Sequence, residues 1–181
     1  MKEKINIVWL KKDIRSQDHH PFYVAEENSV AYLPIYIFEP SILNHPDGSL
    51  RHQQFIYHSI LDLNKTLVKN NKEVCIFYGE AIEIFSFLNE KFDINKVFSY
   101  QESGIKKTWE RDIKIKQFLS NNRTEWIQFQ KDGVIRGIKN RTGWDKKWYA
   151  FMNKPIILNS YKSTPQPNLN HFFSFPKHFE K

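Results

Sequence analysis

The sequence predicts an α/β fold: a doubly wound, five-stranded parallel sheet of Rossmann-like type with helices on both faces. Three observations predict it. Five short runs are apolar almost throughout and rich in β-branched and aromatic residues, as strands buried on both faces of a parallel sheet are. The gaps between them carry apolar residues at helical spacing. Strand and helix alternate along the chain, and parallel strands joined by right-handed helical crossovers build this kind of sheet.

The first run is INIVWL, residues 5–10. It passes directly into Lys11-Lys12-Asp13-Ile14-Arg15, a charged loop without glycine. Residues 18–27 predict a short helix with Asp18 as its N-cap. The second run is VAYLPIYIF, residues 30–38. Pro34 within it requires an edge, a bulge, or a position where its missing N–H is not needed by a ladder. In 51–70, Ile56, Ile60, Leu63 and Leu67 form one apolar stripe of a helix. VCIFY, residues 74–78, is the third strand, with Cys75 read as a small hydrophobe. Ala81, Ile84, Phe85 and Leu88 mark a helix over 80–91, and KVFSY, residues 96–100, is the fourth strand. Ile105, Trp109, Ile113 and Phe118 predict the inward stripe of a helix over 105–120. TEWIQF, residues 124–129, closes the pattern.

After Phe129 the pattern changes. Turn signals stand at Asp132-Gly133, Gly137 and Thr142-Gly143, a short helix is predicted around 144–152, and the chain is loop-like from Pro155 onward. The expected division is an α/β domain over 1–130 and a basic, aromatic linker or arm over 131–181. The net charge of +7 separates the two. Residues 1–130 carry 17 basic and 17 acidic side chains, whereas residues 131–181 carry 10 and 3. The arm also holds Trp144, Trp148, Tyr149, Phe151, Tyr161, Phe172, Phe173, Phe175 and Phe179. A disordered basic tail would be poor in aromatics, so this one has apolar groups to bury.

Composition excludes several classes. At 40% hydrophobic and 15% aromatic the chain can build a core, and no apolar run approaches a membrane span, so no membrane partner is expected. The opening Met-Lys-Glu-Lys has no signal-peptide shape, and a cytoplasmic location is expected. Cys75 is the only cysteine, which rules out an internal disulfide and speaks against a cysteine-based metal site.

In open parallel sheets ligands bind beyond the carboxyl ends of the strands, where the strand order reverses. The loop from Lys11 to Arg15 belongs there, as a ligand site or as solvated charge at a strand end. Neither G-x-G-x-x-G nor G-x-x-x-x-G-K-[ST] occurs, so an anion would be held by side chains or helix N-termini. Nor is there a G-x-S-x-G elbow or an H-E-x-x-H pair. His19 and His20 are adjacent and would point apart on a helix, which suits capping or surface roles. No catalytic residue and no metal ligand is predicted. In 133–148, Arg136, Lys139, Arg141, Lys146 and Lys147 lie among Trp144, Trp148 and Tyr149. Cations interleaved with rings suit a polyanion such as single-stranded nucleic acid, and equally an interdomain segment with wet charges.

IVWLKKDIRSQDHHPFYVA, FSYQESG…WERD and GVIRGIKNRTGWDKKWYAFMNKP, taken together and in this order, are similar to stretches of the photolyase/cryptochrome family. IVWLKKDIRSQDHHPFYVA resembles its opening, V-W-F-R-R-D-L-R followed by x-x-D-N. Trp9, Asp13, Arg15 and Asp18 hold matching places, Lys11 and Lys12 replace an arginine pair, and Leu10 replaces phenylalanine. FSYQESG…WERD over 98–112 and GVIRGIKNRTGWDKKWYAFMNKP over 133–155 resemble a bacterial branch. The resemblance covers most of 5–155. It implies an N-terminal antenna domain that can hold a light-harvesting chromophore: a reduced folate, a deazaflavin or a flavin. It also implies a helical C-terminal domain, beyond this chain, that binds FAD and damaged DNA. In such proteins light-excited reduced FAD passes an electron into a pyrimidine dimer, which splits. The 181 residues alone are expected to lack that activity, with DNA and the chain's own C-terminal FAD domain as partners in the longer protein.

The resemblance places an antenna site on Lys11, Lys12, Asp13 and Arg15 after strand 1, Tyr36, Phe38 and Glu39 at the end of strand 2, and Gln101 and Glu102 after strand 4. Phe38 would be an aromatic wall, Glu102 an acceptor for ring N–H groups, and Lys12 or Arg15 a partner for an anionic tail. Lys107 and Thr108 stand where some relatives grip folate with acids, which leaves a deazaflavin, a flavin or an empty site. The alternative from another class is a standalone nucleotide- or single-stranded nucleic-acid-binding module that uses the basic arm. A third is an interaction domain with a degenerate pocket.

Overall fold

The computed structural model describes residues 1–135 and 137–169; Arg136 and the aromatics Phe172, Phe173, Phe175 and Phe179 lie outside the described residues. Its strands are β1 (Glu3–Leu10), β2 (Tyr32–Phe38), β3 (Cys75–Tyr78), β4 (Phe92–Tyr100) and β5 (Glu125–Phe129). Its helices are α1 (His20–Glu27), α2 (Pro40–Leu43), α3 (Leu50–Leu67), α4 (Ala81–Lys91), α5 (Lys106–Asn121) and α6 (Trp144–Met152). All strand pairs are parallel and the order is β3-β2-β1-β4-β5. The chain winds outward from β1 to β3, then returns to place β4 beside β1. The switch-point crevice therefore opens above the carboxyl ends of β1 and β4.

Each face of the sheet buries its own core. On one side Ile5, Ile7, Trp9 and Val97 pack against Ile84, Phe85 and Leu88 of α4 and Ile115 and Leu119 of α5. On the other, Val8, Leu10 and Phe98 meet Phe22 and Ala25 of α1 and Ile60, Leu63 and Leu67 of α3. Both faces of β1 are thus covered, which is why its sequence is apolar without alternation.

Pro34 lies in an interior strand without cost to the ladder. The Asn6 amide donates to Ala31 O, and the Gly79 amide donates to Phe38 O. Alternation along β2 then turns the nitrogen of residue 34 toward β3. The β2–β3 ladder begins only at Ile35↔Cys75, so no bond is lost.

Three local expectations are corrected. The N-cap of α1 is His19, not Asp18: its Nδ1 accepts from the Phe22 amide at 3.2 Å. Asp18 instead takes a left-handed conformation (φ 54°) and binds residue 157. β4 starts at Phe92, well before residue 96, because its alternating first half, with Phe92 and Ile94 buried between Asp93 and Asn95, pairs with β1 across a bulge between Ile5 and Asn6. The inward stripe of α5 is Thr108, Asp112, Ile115 and Leu119, whereas Trp109 (49% exposed) and Ile113 (66%) face outward. A buried ion network, described below, takes the position that apolarity alone assigned to tryptophan.

The stretch after α6 lies along the α/β domain. Asp18 N donates to Ile157 O at 2.9 Å, and Asn159 exchanges bonds with the Gln17 side chain and with His19 N and O at 2.8–3.0 Å. The Tyr161 hydroxyl donates to Ser16 O at 2.7 Å while its ring meets Phe22 edge-on. Further on, the buried Lys72 ammonium donates to Lys162 O and to Thr164 Oγ1 (3.1 Å), with Glu26 Oε1 at 3.5 Å. Gln166 Oε1 accepts from the Glu73 amide at 2.8 Å, and Leu169 packs on the core. Residues 157–169 therefore run as a strap from the carboxyl end of the sheet to the start of β3. Cys75 sits beneath it, and burial pushes its thiol up to about 12.

Candidate functional site

The switch-point crevice is filled by charge. Lys11, the first residue beyond β1, is buried, and its Nζ lies 4.5 Å from the centre of the Trp9 ring and 5.2 Å from that of Trp126. It pairs with Asp112 at 3.0 Å. Arg111 enters from the second turn of α5. Its guanidinium donates to Glu39 Oε1 at 2.8 Å, Asp112 Oδ1 at 2.8 Å and Glu102 Oε2 at 3.3 Å, with its centre 4.9 Å from the Trp9 ring. Lys12 reaches over from solvent to 3.9 Å from Glu102 Oε1. Gly104 permits this packing: a Cβ there would stand 2.7 Å from both Glu102 Oε1 and Thr108 Oγ1.

Titration follows the burial. Desolvation lowers the Lys11 ammonium to about 8 despite the Asp112 carboxylate. Burial raises Glu39 above its ordinary value, although Arg111 and the Ala81 amide pull it down. Lys11 binds its proton more weakly folded than unfolded, so between about 8 and 10.5 its term in stability grows as the pH rises. Lys11→Met should remove that alkaline rise from urea melts across the window. A rise that survives the substitution would place the titration elsewhere.

The structure brings Lys11, Lys12, Tyr36, Phe38, Glu39 and Glu102 to the wall of one cavity of about 70 Å³, together with Trp9, Thr108 and Arg111. The other three expected residues lie apart. Asp13 is buried against His19 Nε2 at 2.8 Å and accepts from the Lys11 amide at 2.9 Å. Arg15 donates to Asp18 O (2.6 Å) and borders a separate, open hollow beside Phe55 and His58 on α3. Gln101 joins through its backbone, which donates to Phe129 O at 2.7 Å. Sequence reasoning missed Arg111 and Asp112 as site residues. The signal that could have found Asp112 is the second stripe of α5, Thr108-Asp112-Ile115-Leu119, as regular as the apolar one but carrying an acid; Arg111 lies off that stripe and shows only as its neighbour in the WERD motif.

The Asp13–His19 pair fixes the loop that follows β1. Nδ1 of His19 accepts, so Nε2–H donates to the Asp13 carboxylate. Burial alone would raise the Asp13 carboxyl, but the hydrogen bonds from His19 and from the Lys11 amide hold it below its ordinary value. A depressed carboxyl contributes stability above its unfolded value of about 3.8 and loses it as the pH falls through the folded value. Asp13→Asn should flatten this acid limb. An acid midpoint identical to that of the parent would contradict the assignment.

The DNA photolyase family profile matches residues 6–151, and that stretch carries most of β1, all of β2 to β5 and the whole ion network. The chain belongs to the DNA photolyase family. The deoxyribodipyrimidine photo-lyase of Buchnera aphidicola (subsp. Acyrthosiphon pisum) is 25% identical over 170 residues, covering 89% of this chain and 35% of that enzyme. The Synechocystis sp. PCC6803 cryptochrome structure superposes with a TM-score of 0.80 at 16% identity, over 99% of this chain and 41% of that one. The photolyase from Sulfolobus tokodaii gives 0.71 at 20% identity, over 87% and 37%. This photolyase-family domain therefore spans about a third of the length of the curated photolyase it matches. Among its described residues no helix is long and apolar enough to cross a membrane, and no cluster of His, Cys, Asp and Glu is placed to hold a metal ion.

Proposed function

We propose that these residues form the N-terminal α/β domain of a light-dependent photolyase- or cryptochrome-like flavoprotein that repairs pyrimidine dimers in DNA. The family match over 6–151 on a sheet of this order carries the proposal. FAD and damaged DNA would be held by the region that the relatives possess beyond the matched part. The solved Sulfolobus tokodaii photolyase holds two FAD molecules, which supports flavin as the cofactor type. If the longer protein carries an antenna chromophore, the crevice above β1 and β4 is where it would sit, with deazaflavin, flavin and reduced folate as the candidate classes.

The crevice does not fit a three-ring chromophore as it stands. Polar handles are present in Lys12, Glu39 and Glu102, but the space beside them is about 70 Å³. Ligand pockets of this kind run to about 300–1,000 Å³. The Arg111 guanidinium, bonded on three sides, forms part of the wall of that space.

The test is repair by the native gene product from its source cells, using UV-irradiated oligothymidylate in light and in darkness. Light-dependent loss of dimers is expected. Loss of dimers at equal rates in light and dark, or none in either, would contradict the repair assignment.

A further inference from the structure

The Glu39–Arg111 ion pair crosses the crevice from the residue after β2 to the second turn of α5. On its inner side lies the 70 Å³ cavity over Trp9. On its outer side lies a second cavity of about 270 Å³, bordered by Ser41, Glu80, Lys107 and Lys114. Glu39 and Arg111 are the two residues common to both linings, which points to their paired side chains as the partition. Neither space alone reaches the roughly 300 Å³ at which ligand pockets begin, whereas the two joined do. The partition is firmly held. Arg111 is anchored to Glu102 and Asp112 as well as Glu39, and Glu39 Oε2 also accepts from the Ala81 amide at 3.3 Å.

We propose that the Glu39–Arg111 pair is a bar across the crevice that excludes a three-ring aromatic such as riboflavin, and that removing the bar creates a slot that admits one. The inference rests on the crevice being the antenna position, but neither light, FAD nor DNA enters its test. Charge balance indicates how to open the slot without collapse. Removing Arg111 alone leaves Glu39, Glu102 and Asp112 crowded together. Removing Glu39 with it leaves Lys11 matched to Asp112 at 3.0 Å and Lys12 to Glu102 at 3.9 Å.

The experiment titrates riboflavin into the full 181-residue chain and follows quenching of riboflavin fluorescence. The parent should show no saturable quenching. The double variant Glu39→Ala/Arg111→Ala, with its fold checked by circular dichroism, should show saturable quenching over the concentration range in which the parent shows none. Glu39→Ala, which removes one half of the bar and leaves Arg111 paired with Glu102 and Asp112, should give a weaker saturable quenching and serves if the double variant does not fold. Saturable binding by the parent, or folded variants that bind no better than it, would overturn the bar. Either result would leave the family assignment standing, since that is tested by repair.

Discussion

A chain ended after Lys154 is expected to unfold at a clearly lower urea concentration than the full chain. The strap over 157–169 supplies the reason. Its removal breaks the reciprocal bonds of Asn159, the Tyr161–Ser16 bond and the Gln166–Glu73 bond, at about 1 kcal/mol each. It also uncovers Phe22 and exposes the Tyr161 contact, worth about 2 kcal/mol. The buried Lys72 loses its acceptors on residues 162 and 164 and keeps only Glu26 among those partners. Ordering the strap opposes these gains, so the net loss should be about 3 kcal/mol. That is a large share of a total stability of about 5–15 kcal/mol. Equal midpoints for the two chains would show that the strap adheres without stabilising. Tyr161→Phe isolates one contact and should cost about 1 kcal/mol.

Arg111→Ala should destabilise the domain by about 3–5 kcal/mol, the usual cost of breaking a buried ion cluster by removing one partner. Three carboxylates, those of Glu39, Glu102 and Asp112, lose their shared cation. Only Lys11 and Lys12 remain to compensate, and Lys12 is mostly solvated. Adding Glu39→Ala should recover part of the loss, because the second change removes an uncompensated buried acid. The two substitutions are therefore expected to be strongly non-additive. Urea melts of the parent, both single variants and the double variant close the cycle. Additive losses would mean that the pair acts as two independent contacts.

Most of the fold was legible because two-sided burial leaves a plain mark. INIVWL and VCIFY read as strands since neither face can be polar, and the α3 and α4 stripes read as helices since each faces one core. The failures share a cause. Apolarity points Trp109 inward, yet Asp112 is the buried residue of that turn, stabilised by its neighbour Arg111 and by Lys11 from beyond its own helix. The side chain of Asp18 suits a cap, but residue 157 claims it, and a contact across 139 positions leaves no local trace. Of the site, six of the nine expected residues share one cavity. Asp13, although it matches the family motif, turns inward to hold His19 instead. The same motif placed Arg15 at the crevice, but a left-handed Asp18 draws its guanidinium away. What the sequence could not reveal is that Arg111 divides the crevice, because a partition depends on which side chains meet across it.

The central claim is that this domain serves a light-driven flavoprotein. It is tested most directly by the absorption spectrum of the native gene product, purified from its source cells, before and after blue light. Bound-flavin bands that bleach on illumination with an electron donor are the expected result. A native product with no flavin in its spectrum, before or after release by heat, would contradict the claim.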